Sequence, residues 1–211
     1  MGCTSGASGG GAGPFGGGMI GGGGVDTTTT VKSSHPLTNE ISKGGGSFAN
    51  EIMNTRDAYE AEYGSAVKRM NLSVATFGDP STLGAYGGDT LYMNEKYVKN
   101  ANLTEAMKNS NGFHPAIGNR TGAEAVAAHE IGHRLGEIAS QKAGISEKEI
   151  VSRAAKKVGI RTNNMAGHIS GYARSNYAET IAEASADVYC NGSKASKASI
   201  AIMSEVKSIL R

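Results

Sequence analysis

The stretch His129-Glu130-Ile131-Gly132-His133 carries the residue types from which hydrolytic metal sites are built. At 3.6 residues per turn, His129 and His133 project from one side of a helix about one turn apart. Two imidazoles placed so can share one Zn2+, and Glu130, next to the first, can reach the water that the ion would polarise. The same five letters also fit a solvated helix face that bears them by accident. A catalytic zinc takes three protein ligands and leaves its fourth position to water, so the zinc reading requires a third ligand elsewhere in the chain.

The surroundings of the motif favour a packed helix. Ala127, Ile131, Leu135 and Ile138 fall on the side opposite the histidines, which therefore turn away from the apolar stripe. Ala125, Ala128, Gly132 and Gly136 are small. A glycine inside a helix costs about 1 kcal/mol relative to alanine, and here such residues would admit a second helix close to the metal. Thr121 and Glu124 form a capping box, so the helix is predicted from about 121 to 143, with Gly144 as its stop.

The third ligand is not a continuation of the motif. Metzincins carry a histidine six residues after the second, where this chain has Ala139. His35 in the tail, His114 before a proline and His168 in a glycine-flanked loop read as surface or loop residues. The segment SGYARSNYAETIAEASADVY, residues 170–189, offers more. On a helix starting after Asn176, Tyr177, Ile181, Ala184 and Val188 make an apolar stripe, and Glu179, Glu183 and Ala186 lie on the other side. Spacing alone does not choose between the two glutamates.

His-Glu-x-x-His followed by Ser-x-Tyr-Ala-Arg-x-Asn-x-x-Glu-x-x-x-Glu resembles the gluzincin metallopeptidases of the anthrax lethal factor type, and metallopeptidase domains encoded by phages and prophages. The likeness covers about 121–190 and, more weakly, the stretch GGDTLYMN. It implies a zincin-like fold with one Zn2+ held by His129, His133 and Glu179. It implies Glu130 as general base, Tyr172 as a catalytic assistant and Glu183 as support for a ligand. Thr180 and Ile181 stand where aromatics are frequent in that family. The activity implied is endopeptidase action on a peptide or protein substrate. Glu130 would take a proton from water and return it to the leaving amine, with Tyr172 donating to the oxyanion. The alternative is a non-catalytic, zinc-stabilised module of a phage particle or secreted toxin, with phage structural proteins as partners.

The elements that must position these residues are legible more coarsely. The 211 residues, 38% hydrophobic, allow one domain and a tail. A net charge of +2 over 21 basic and 19 acidic side chains makes no stripe for a nucleic-acid backbone. No run approaches the roughly 18 apolar residues of a membrane span, so a soluble chain is expected, with virion association or secretion left open. Cys3 and Cys190 imply no disulfide framework. Thirteen of the first 24 residues are glycine, and residues 1–46 are expected to be a flexible tail without chemistry, ahead of a folded domain over 47–211. Helical spacing predicts 47–70 as one helix. Strands are expected at 72–78 and 90–94, with GAYGGD as turn material between them and TLYMN as the edge to which a substrate strand adds. Further helices are expected at 146–158, 177–190 and 195–210. The fold class is α+β, a mainly helical domain with a small sheet.

Overall fold

A computed structural model describes residues 30–98 and 102–211. Its architecture is α+β and mainly helical, with one four-stranded sheet. The helix of the histidine motif, α5 (Gly122–Ala143), runs through the middle. Ala125, Val126, Ala127, Ala128, Ile131, Leu135 and Ala139 on it are at most 1% exposed. A 22-residue helix this poor in bulky side chains can be covered on almost every face, because its neighbours come close to its backbone.

Both ends of α5 are set locally. Thr121 Oγ1 accepts from Glu124 N, the Glu124 carboxylate accepts from Thr121 N, and Gly144 takes the left-handed conformation at φ +63°. Helix α6 (Glu147–Val158) starts on Ser146 as cap and ends at Gly159. Helix α7 (Tyr177–Asn191) starts on Asn176, whose side chain accepts from Glu179 N. Helix α8 (Lys197–Leu210) completes the cover, packing on α5, α6 and α7.

The N-terminal half departs from expectation in four places. The predicted helix over 47–70 is two: α2 (Gly46–Tyr63) and a single turn, α3 (Ser65–Lys68). Between them Gly64 sits at φ +60°, ψ −128°, a conformation that a β-carbon would forbid. The expected tail boundary at residue 46 also moves. Val31–Pro36 forms a strand, β1, and Asn39–Ser42 a helical turn, α1, while the glycine run of residues 1–24 lies outside the described residues. Strand β1 pairs antiparallel with β2 (Asn71–Phe77), a partner some forty residues away that local pattern cannot announce.

The sheet itself differs in order. GAYGGD is not only a turn: Gly84–Gly87 is a strand, β3, joined to β4 (Thr90–Asn94) by the tight turn at Gly88-Asp89. The order is β1-β2-β4-β3, with β2 and β4 parallel. TLYMN is therefore an inner strand, and the edge facing α5 is β3. Helix α4 (Asn102–Lys108) was not foreseen, since its seven residues hold too few apolar positions for a period to show. Among the described residues, no helix is long and apolar enough to cross a membrane.

Candidate metal centre

Two helices bring the chemistry together, and glycine lets them. A β-carbon on Gly132 would lie 2.6 Å from Ser185 Cβ and 2.8 Å from Ala182 Cα, so α7 crosses α5 almost in backbone contact. Ser185 seals the crossing: its hydroxyl donates to Ala128 O at 2.9 Å and lies 2.7 Å from Tyr59 Oη, which also donates to Ser185 O. Gly132→Ala must push α7 away and with it both glutamates. The expected cost is about 1–3 kcal/mol of stability together with weakened metal binding, read by urea denaturation and metal titration. Wild-type values in both would refute the close crossing.

The donors converge on one side of this crossing. His129 Nε2 and His133 Nε2 are 3.0 Å apart, and Glu179 Oε2 lies 3.2 Å from the first and 3.5 Å from the second. Both histidines are fully buried and Glu179 is 3% exposed. Asn176 alone caps α7 through Glu179 N, which leaves the Glu179 carboxylate to face the histidines instead of folding back onto its own cap. Glu183, one turn on, places Oε1 2.9 Å from His129 Nδ1; the pair is short but off the line of a strong hydrogen bond. Tyr172 reaches in from a single 3-10 turn, Tyr172–Arg174, with its hydroxyl 3.4 Å from Glu179 Oε1 and its ring centroid 6.1 Å from that of His129.

His129, Glu130 and His133 form a group that could bind a metal ion, with one ligand atom from each within 4.8 Å of the others. Glu130 and Glu179 thus compete as the third donor. Glu179 Oε2 makes the tighter set, at 3.2 and 3.5 Å from the two ring nitrogens. Both Glu130 oxygens are buried without a hydrogen-bond partner. They lie under β3, where a β-carbon on Gly84 would come 3.2 Å from Oε1.

Burial and crowding polarise the cluster. Burial raises the Glu130 carboxyl to about 8; the charge of His129 opposes this, and Glu179 and Glu183 add to it. For Glu179 and Glu183 burial acts upward, but contacts with histidines outweigh it: Glu179 falls well below the usual carboxylate range and Glu183 to about 2. Burial disfavours charge on His129 too, yet Glu179 and Glu183 lift it well above the ordinary histidine value; His133 is lowered, burial again leading. Burial likewise raises the Tyr172 phenol.

A stability prediction follows for chelator-treated protein. An unfolded glutamate titrates near 4.5 and Glu130 in the fold near 8, so its ionisation destabilises the folded state as pH rises through that window and its effect is absent below it. At about 1.4 kcal/mol per unit, the difference between 8 and 4.5 sets an upper bound of about 5 kcal/mol. Glu130→Gln should therefore gain stability relative to wild type by a few kcal/mol between pH 4.5 and 8.5, read as the change in the urea-midpoint difference. A pH-independent difference would mean that Glu130 ionises freely.

The residues expected at the site, His129, Glu130, His133, Tyr172, Glu179 and Glu183, all meet there. One expectation is corrected. His114, read as a surface or loop residue, is 4% exposed and puts Nδ1 3.1 Å from Glu183 Oε1. Ser170, at the head of the quoted motif, donates to Glu183 Oε2 at 2.7 Å. The proline after His114 suggested a loop, correctly, but nothing within the chain's local pattern says that the loop lies against α7. His168 is exposed and His35 half-buried on β1, so neither approaches the donors. No family model matches this chain, and neither a curated protein nor a solved structure does.

Proposed function

We propose that this protein is a zinc-dependent endopeptidase of the gluzincin kind, with His129, His133 and Glu179 as ligands. The observation that carries the reading is the donor triangle of 3.0, 3.2 and 3.5 Å. Donors about 2.0–2.1 Å from a tetrahedral ion stand ~3.3 Å apart, so two imidazole nitrogens and a carboxylate oxygen at these spacings suit Zn2+. The charge balance is compatible with this: contacts with His129, His133 and His114 hold Glu179 and Glu183 ionised in a buried place, so a cation there would meet anionic donors. When bound, Zn2+ lowers the pKa of a coordinated water to about 7 and polarises a carbonyl.

The chain's own groups divide the remaining work. Glu130, beside His129 and engaged by no donor, is available to accept a proton from water and return it to the leaving amine. Its elevated pKa suits a group that must both take and give a proton near neutrality, although a bound cation would draw it down. The Tyr172 hydroxyl, which donates to Glu179 Oε1 at 3.4 Å, would turn to donate a hydrogen bond to the developing oxyanion, and burial keeps the phenol protonated for that purpose. The outer edge of β3, next to Glu130, offers backbone groups to which an extended peptide can add as a further strand.

The testing experiment is incubation with a peptide library, with and without chelator, read by mass spectrometry, alongside metal analysis. About one zinc per chain is expected, with cleavage only while it is bound. Protein that folds without taking up zinc would overturn the ligand set. Zinc-loaded protein that cleaves nothing would leave a structural zinc module as the better reading.

A further inference from the structure

We infer that His114 is a positioning residue of the metal centre, and that the turn carrying it braces two of the centre's parts at once. This rests on the metal-binding half of the function proposed above and is independent of peptidase activity.

Glu183 is the pivot. Its Oε1 faces His129 Nδ1 at 2.9 Å and His114 Nδ1 at 3.1 Å, while its Oε2 accepts from Ser170 Oγ at 2.7 Å. His114 is 4% exposed, Ser170 7% and Glu183 1%, so no water competes for these bonds. A carboxylate gripped at both oxygens cannot rotate, and its Oε1 stays aimed at the ring edge of His129. A ligating imidazole owes its tautomer and orientation to the group behind its distal nitrogen. Without His114, Oε1 keeps only the misaligned His129 contact.

The same turn holds Tyr172. Gly171 N donates to Gly112 O at 2.8 Å and Tyr172 N to Phe113 O at 2.9 Å. The Tyr172 ring packs against both neighbours, with centroids 5.3 Å from Phe113 and 5.5 Å from His114. Ser170 Oγ, besides donating to Glu183, accepts from Ala173 N at 3.0 Å and ties the far side of the Tyr172 loop to the same carboxylate. The brace carries backbone strain. Asn111 at φ +51° is the one non-glycine residue with positive φ among the described residues, and Gly112 follows at φ +81°. Such conformations persist where surrounding contacts over-determine them. The strained reversal is what brings Phe113 O and the His114 ring to face 171–183 together.

The test is specific to one nitrogen. In His114→Asn the amide nitrogen falls near the place of Nδ1; in His114→Gln it falls near Nε2. Full-length wild type and the Ala, Asn and Gln variants are titrated with Zn2+ against a chromophoric chelator, with circular dichroism to verify folding. His114→Ala and His114→Gln should bind Zn2+ about 10–100-fold more weakly, and His114→Asn should return to within a few-fold of wild type. Should the Ala variant fail to fold, the Asn and Gln pair still decides. Equal affinity in Asn and Gln variants, or wild-type affinity in all, would overturn the positioning role while leaving the metal centre standing. Absence of Zn2+ binding by the wild type would overturn both.

Discussion

Glu130→Gln should keep its zinc and lose turnover by roughly 10²–10⁴-fold, the usual contribution of a positioned acid–base group. The separation is expected because Glu130 stands outside the tight donor triangle: the 3.0, 3.2 and 3.5 Å spacings belong to His129, His133 and Glu179. Glutamine preserves the shape beneath Gly84, where a β-carbon would already come 3.2 Å from Oε1, so the β3 edge is not displaced. Only the ability to accept a proton is removed. Tyr172→Phe is the companion: it also keeps zinc but should cost about 10²–10³ in rate, as for one oxyanion donor. Metal content by elemental analysis and cleavage of a peptide from the library measure both. Wild-type turnover in Glu130→Gln would end the mechanism; loss of zinc from it would make Glu130 the third ligand.

Glu179→Ala should lose zinc outright, whereas Glu183→Gln should retain it with affinity lowered about 10–100-fold. The two carboxylates sit one turn apart on the same face of α7 and differ in what they face. Glu179 Oε2 meets both Nε2 atoms, the nitrogens turned toward one another; Glu183 Oε1 meets Nδ1, on the opposite edge of the His129 ring. A group at Nδ1 can orient the imidazole but cannot share its metal. Zinc kept in Glu179→Ala and lost in Glu183→Gln would exchange the two roles.

What the amino-acid sequence determined by itself is what depends on neighbours along the chain. The His129–His133 pair follows from helical period, the start of α5 from the Thr121–Glu124 capping box, the start of α7 from Asn176, and the close approach of a second helix from Gly132 among alanines. The α+β, mainly helical class follows from the same periods. Only the tertiary structure decided which glutamate of α7 meets both Nε2 atoms and which stands behind His129 at Nδ1, because both lie on one helical face and the outcome depends on where α7 crosses α5. It also decided that residues 31–36 join the sheet, that β3 and not β4 is the edge near Glu130, and that His114 stands behind Glu183 across 69 positions of chain. Such pairings are set by the closure of long loops around a shared core. An apolar period states which face is buried, and says nothing about which distant segment comes to bury it.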